Sequence, residues 1–355
     1  MQPVAVRILH PLPAADAGPL ARWRGDARAE NARRLAGLFA RAGATDVELV
    51  TGAPDRRPFG ARMRDLVREL PRGLGLVVLG SGAMPLATAR DAAAFARVAG
   101  SAEARALANN RYSADALAIG DARALREVPD LPGDNALPRW LEEIAGVEVR
   151  DLRGRWRLSV DLDSPLDALV IDPGSPPEDV DLGVLRDSVA AIRVVAADRG
   201  AELLVAGRTN AATLGWLERS TSSRTRALVE ERGLRASARE ALGGNADRLP
   251  RPPRSILGLA LDDRGPAAFG AIVAELADAA IVDSRVLFAH RLGGDESGWP
   301  PAEDRFASDL LLPDRIRDPW LRELTAAAVD APIPILLGGH TLAGPGIRLV
   351  LRGRR

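Results

Sequence analysis

Asp161 and Asp163 flank one residue in "VDLDSPLDA" (160–168), where an apolar run meets a Ser-Pro step. In an extended segment, alternate side chains share a face, so these two carboxylates can converge on one hard cation such as Mg²⁺. Asp167 lies beyond Pro165, in the first turn of a helix that Ser164 would cap and Pro165 would open. There it favours the helix dipole more naturally than a metal. The competing account of the whole stretch is a strand end followed by an acidic helix start. A second candidate is "GSGAMPL" (80–86), a Gly-rich turn after the apolar run "LGLVVLG", with Gly80, Ser81, Gly82 and Met84 placed to meet a substrate; a tight turn is the simpler reading. A third is "NNRYSAD" (109–115), whose Asn109, Asn110, Tyr112 and Asp115 are either substrate contacts or a turn and helix cap.

The second half offers other chemistry. His290 and His340, two of three histidines, stand in Gly- and Pro-rich surroundings with Asp295, Glu296, Glu303, Asp304 and Asp309, a composition suited to an acid/base or metal site. No zinc spacing is present, and solvated loop carboxylates are the plainer account. "GRTNAATLGWLERSTSSRTRALVEERG" (207–233) gathers Arg208, Arg219, Arg224 and Arg226 with hydroxyls, a set that suits phosphate or, equally, a capped helix pair. His10, just past the first apolar run, is read as structural.

These residues need elements to hold them. "VAVRIL" (4–9), "DVELVTG" (46–52) and "LGLVVLG" (74–80) read as strands, alternating with amphipathic helices at 27–43 and 59–73 and a further helix at about 86–98. Such alternation predicts an α/β fold with a doubly wound, mainly parallel sheet. The pattern sets a first domain at 1–172, an acidic Pro/Gly linker at 173–182, and a second α/β or α-rich domain at 183–355. In that second part, 210–233 reads as two helices and 266–290 as one long helix.

Composition narrows the function classes. Forty-eight basic and 48 acidic residues cancel, which argues against nucleic acid or an anionic membrane as partner. No apolar run approaches a membrane span and the N-terminus is too short in apolar residues for a signal peptide, so a cytoplasmic location is expected. Cysteine is absent, which removes disulfides and thiolate chemistry. All the basic residues are arginines, so no mechanism that needs a Schiff-base or P-loop lysine operates here. An oligomer is compatible with the sequence.

The order "VVLGSGAMPLAT", "NNRYSAD", "VDLDSPLDAL" resembles the molybdenum-cofactor and phospholactate type of nucleotidyltransferase over residues 1–172. "GAMPLAT" is similar to that family's G-D-M-P-L-L-T turn, and "VDLDSPLDA" to its D-I-D-T-P-E-D-L strand end. The resemblance implies a glycosyltransferase-A-like fold, a nucleotide or nucleotide-sugar donor, and Mg²⁺ held by Asp161 and Asp163. The sequence departs from the family twice. Its Gly-rich, Lys-bearing triphosphate loop is replaced by "LHPLPAADAGPLARWRGD", where Arg22, Arg24 or Arg28 would have to supply charge. Ala83 stands where a metal-binding Asp is expected. The alternative is therefore a non-catalytic ligand-binding or assembly module that keeps the fold.

Overall fold

The computed structural model describes residues 2–55, 57–71, 73–172, 176–177, 179–232 and 252–352. Among them the chain forms two compact units, one of residues 2–15 and Gly25–Asp161, the other of Asp16–Arg24, 162–232 and 252–352. The division thus falls between Asp161 and Leu162, not at 172. Within 173–182, Val180 and Leu182 are buried in the second unit's core instead of forming a solvated linker.

The first unit contains β1 (Val4–Pro11), most of α1 (Pro19–Arg41), β2 (Asp46–Gly52), α2 (Phe59–Arg68), β3 (Gly75–Gly80), α3 (Ala89–Ala99), β4 (Arg105–Ala108), β5 (Ala116–Ile119), α4 (Leu137–Glu143) and β6 (Glu148–Asp151). The strands form one sheet in the order β2-β1-β3-β5-β4-β6. All run parallel except β5, which is antiparallel to both neighbours. Alternate residues of each central strand feed opposite cores, as the two-residue period of a strand requires. Val6, Ile8, Val77 and Leu79 pack with Leu35 and Phe39 of α1 and Phe95 of α3. Ala5, Leu76 and Val78 pack on the other face with Met63 and Val67 of α2 and Trp140 of α4.

Three expectations change here. The segment after Asp115 is β5, not a helix; its "ALAI" is a short apolar run that periodicity alone cannot assign. The first helix begins at Pro19, earlier than residue 27. The stretch before Asp161 is a turn of 3₁₀ helix (Trp156–Ser159), and the expected strand is reduced to one antiparallel bridge between Ala83 and Asp161.

The second unit contains α5 (Pro165–Ile171), α6 (Gly183–Ala197), β7 (Glu202–Gly207), α7 (Ala211–Ser220), β8 (Arg224–Val229), α8 (Ile256–Arg264), α9 (Phe269–Ala274), β9 (Ala279–Asp283), α10 (Ser284–Leu292), α11 (Ala302–Asp309), α12 (Pro319–Val329), β10 (Ile335–Gly338), α13 (His340–Ala343) and α14 (Ile347–Arg352). Its four strands are all parallel, in the order β10-β9-β7-β8. β8 and β9 replace helices expected from the sequence. β9 is "AAIVD", wholly buried, and its five residues interrupt what looks like one long apolar helix. β8 is an edge strand whose mostly exposed face carries Arg224 and Arg226, charges that blunt an open edge and hide the strand alternation. No described helix is long and apolar enough to cross a membrane.

Candidate functional site

Parallel α/β sheets place ligands outside the carboxyl ends of their strands. At that edge of the first unit the structure brings together residues far apart in sequence. Leu9 of β1 pairs with Gly80 of β3, which sets His10 beside Ser81, and the His10 Nδ1 to Ser81 Oγ distance is 3.0 Å. Because β5 runs in reverse, Asp115 at its start also lies at this edge, and its carbonyl accepts from Gly80 N at 3.1 Å. Asn109, just past β4 and 1% exposed, uses its whole side-chain amide. Its Nδ2 donates to Asp115 Oδ2 and to Leu158 O at 3.0 Å each, while Oδ1 accepts from Asp115 N at 3.0 Å and Ala116 N at 3.2 Å. Asp161 closes the set through its backbone bridge to Ala83.

The Gly80–Met84 turn is held from outside by α1. Asn31 Nδ2 donates to Ser81 O at 2.8 Å and Ala83 O at 2.9 Å, and Arg34 donates to Met84 O at 2.9 Å and Ala87 O at 2.8 Å. These bonds keep Met84 at φ 48°, a left-handed conformation that costs a non-glycine residue of order 1 kcal/mol. The turn leads into α3, whose cap Thr88 and Asp91 exchange bonds in a capping box. Arg155 Nη1 pairs with Asp91 Oδ1 at 2.8 Å, and Arg157 Nη2 lies 3.5 Å from Oδ2. Burial opposes the Asp91 charge, yet the Thr88 hydrogen bonds and these guanidiniums hold its carboxyl below its ordinary value. Asn31, Arg34, Arg155 and Arg157 carry no local sequence signal for this edge, and His10, a strand-end histidine read as structural, joins it through Ser81. Only the topology places them there.

Other predicted residues lie less centrally. Asn110 Oδ1 accepts from Tyr112 N at 3.0 Å, which shapes the turn, and the half-exposed Tyr112 ring lies under Arg153. Asp163 belongs to the second unit, so the chain passes from one unit to the other within the Asp161/Asp163 pair. Asp167 is the capping-box partner of Ser164; its Oδ2 accepts from Asp163 N, Ser164 N and Ser164 Oγ at 2.8–3.0 Å. Its burial, with Asp163 and Asp309 adding to the effect, pushes its carboxyl up to about 7. It is therefore only partly charged at neutral pH, and the dipole role expected from the sequence is weakened. Among the described residues no group of three or more His, Asp and Glu side chains is placed to hold a metal ion.

In the second unit, successive connections leave β7 toward β8 on one side and β9 toward β10 on the other, so the crevice between β7 and β9 is a topological switch point. Arg208 follows β7 and Asp283 ends β9, and they meet there: Nε to Oδ2 at 2.6 Å, Nη2 to Oδ1 at 3.1 Å. Gly207 makes this approach possible, with φ 115° and room for no Cβ, which would fall 2.3 Å from Asp283 Cβ. Burial opposes the Asp283 charge, and Arg208 reverses that and keeps its carboxyl low. Arg285 spends both terminal nitrogens on Asp309, at 2.5 and 2.6 Å. Burial raises the Asp309 carboxyl while Arg285 stays firmly protonated; the two-pronged geometry marks an ion pair. His340 follows β10 at the same edge. Crowding by protein, and then the Arg208 charge, push its imidazole down to about 4, so it is neutral at pH 7.

The candidate pairing of His290 with the loop carboxylates does not form, in keeping with the plainer account of unrelated histidines. His290 is buried inside α10, where Nδ1 accepts from Ser255 N at 3.0 Å and Nε2 lies 2.9 Å from Asp262 Oδ2, a structural tie between α10 and α8. Asp304 and Asp309 are likewise consumed internally: Asp304 accepts from Arg317 N and Asp318 N, and Asp309 holds Arg285. Asp295 caps a short turn at Ser297. Arg224 sits on edge strand β8, away from any helix start. A depression lined by Asp121, Arg123, Trp140 and Ile144 opens beyond the far end of β5, at the opposite edge of the first sheet, and no candidate residue reaches it.

Comparison with family models, curated proteins and solved structures gives no match, so the resemblance rests on its motifs.

Proposed function

We propose that the first unit binds a nucleoside phosphate at the carboxyl ends of β1, β3 and β4 and transfers a nucleotidyl or glycosyl group from it. The observation that carries this reading is the convergence of the three motifs at one strand-end edge, through the Asn109–Asp115 bonds, the Gly80–Asp115 bond and the Ala83–Asp161 bridge. The braced Gly80–Met84 turn presents backbone and the Ser81 hydroxyl to base or sugar, with His10 fixing Ser81. Arg155 and Arg157, anchored on Asp91 at the start of α3, offer guanidinium charge in place of the missing lysine loop. Asp161 would be the carboxylate ligand for Mg²⁺ within this unit. The ion would supply neutralisation of the charge on the leaving phosphate.

A second reading, ligand binding without transfer, is favoured by Ala83. This residue is 1% exposed, packs in the core around Phe95, and offers no oxygen where the resemblance implies a metal ligand. Calorimetric titration with ATP, CTP, GTP and UTP, with and without Mg²⁺, tests the binding. We expect Mg²⁺-dependent binding of at least one, weakened about tenfold or more by Asp161→Asn. Release of pyrophosphate on adding acceptors supports nucleotidyl transfer, and release of nucleoside diphosphate when a nucleotide-sugar replaces the triphosphate supports glycosyl transfer; tight binding with no release favours the second reading. Absence of binding to all four, with and without Mg²⁺, overturns both.

A further inference from the structure

We infer that the switch-point crevice of the second unit is a separate binding site for a small hydroxy acid, taking its carboxylate or phosphate on Arg208 and Arg285 and its hydroxyl on His340. Each guanidinium turns a two-pronged edge to a buried carboxylate, Arg208 to Asp283 and Arg285 to Asp309. Among the described residues that leaves Arg208 Nη1 and Arg285 Nε with no protein acceptor. Both arginines flank Gly339: a Cβ built there would lie 3.9 Å from Arg285 Nε and 4.0 Å from Arg208 Nη2 and meet nothing else within 4 Å. One unspent donor, Arg285 Nε, thus borders an open spot beside bare backbone, with the Arg208 fork at its other side through Nη2. Arginines whose charge is already balanced take a single oxyanion by completing their hydrogen bonds, and their orientation is fixed beforehand.

His340, the next residue, makes no hydrogen bond to protein among the described residues through either ring nitrogen, although it is largely enclosed. A crowded neutral imidazole without a partner is open to a ligand hydroxyl. Its ring borders Gly344, where a Cβ would lie 3.6 Å from Cε1 and 3.3 Å from Arg208 O. Thr209 Oγ1, one residue past Arg208, is buried with no partner among the described residues and adds a second polar group at the same strand end. The charge of Asp163 reaches His340, so the site is not uniformly cationic and favours one anionic group over a polyanion.

The test uses the full chain and the ring C–H signals of its three histidines, recorded by NMR and assigned by single substitution. The probes are lactate, glycerol 3-phosphate and, as the uncharged control, glycerol. We expect one or both acids to move the His340 signal saturably while His290, enclosed by Ser255 and Asp262, stays fixed. A response to lactate alone assigns a carboxylate ligand and one to glycerol 3-phosphate alone a phosphate ester. Gly339→Ala, which adds a methyl without cutting either ion pair, should weaken the response about tenfold. Arg208→Lys, which keeps the charge on Asp283 but loses the fork, should weaken it by a similar factor. No movement of His340 with either acid, an equal response to glycerol, or an undiminished response in folded Gly339→Ala overturns the inference.

Discussion

The two strand-end edges are built from opposite materials. In the first unit the edge is tied mainly by side-chain amides, with Asn31, beside Arg34, and Asn109 satisfying backbone carbonyls and amides and Ser81 meeting His10, while the buried Asp91 carboxylate pairs with guanidiniums that reach solvent. In the second it is tied by buried full charges, Arg208 with Asp283 and Arg285 with Asp309. Neutral hydrogen bonds hold a turn in shape and leave its electrostatics to whatever binds. Buried ion pairs fix donors in advance, and their integrity depends on every member, because a lone buried charge costs far more than a lone amide.

The largest effect should come from breaking an ion pair. Asp309→Ala strands Arg285 in the second unit and should cost about 3–5 kcal/mol, read from urea unfolding. A loss no larger than that of an amide deletion would erase the contrast between the edges. Asn109→Ala in the first unit removes four hydrogen bonds and leaves buried partners unsatisfied, and should cost about 2–3 kcal/mol.

A smaller and more specific effect concerns pH. His340 drops from 6.5 unfolded to about 4 folded, so it contributes stability above 6.5 that is lost as pH falls toward 4. Asp167 rises from 3.8 to about 7, so its contribution is complete below 3.8 and is lost as pH rises through 7. Between about 4 and 6.5 the two slopes oppose each other. Stability measured by urea unfolding should therefore be nearly flat in the native chain, rise with pH in Asp167→Asn and fall with pH in His340→Gln, each by up to about 1.4 kcal/mol per pH unit. Parallel curves in all three would contradict the charged character assigned to the second edge. The least effect is expected from Arg57→Ala, whose exposed pairs with Asp55 and Asp65 should leave the unfolding midpoint within error.

The first unit was more legible in sequence than the second. β1, β2 and β3 are apolar runs bounded by Gly or Pro, and Ser164-Pro165 announces α5 by its cap. The GSGAMPL turn and Asn109 also stood out, because a Gly-rich segment after a buried run and a paired Asn are local signals. Arg155 and Arg157 gave no such signal, since only the pairing of distant strands brings them to Asp91. In the second unit β9 hid inside a helical pattern and β8 behind its arginines, so the switch point could not be read. Without it His340 and Arg208 were loose candidates, and His290 looked like a partner when it is an internal tie of α10.

The three histidines report on the central claim separately: His10 on the first edge, His340 on the second, and His290 on neither. Addition of a Mg²⁺-nucleoside triphosphate to the full chain, followed through the histidine ring signals, tests the claim directly. The His10 signal should move saturably, while His290 stays in place. A bound nucleotide that leaves His10 unmoved would contradict the claim.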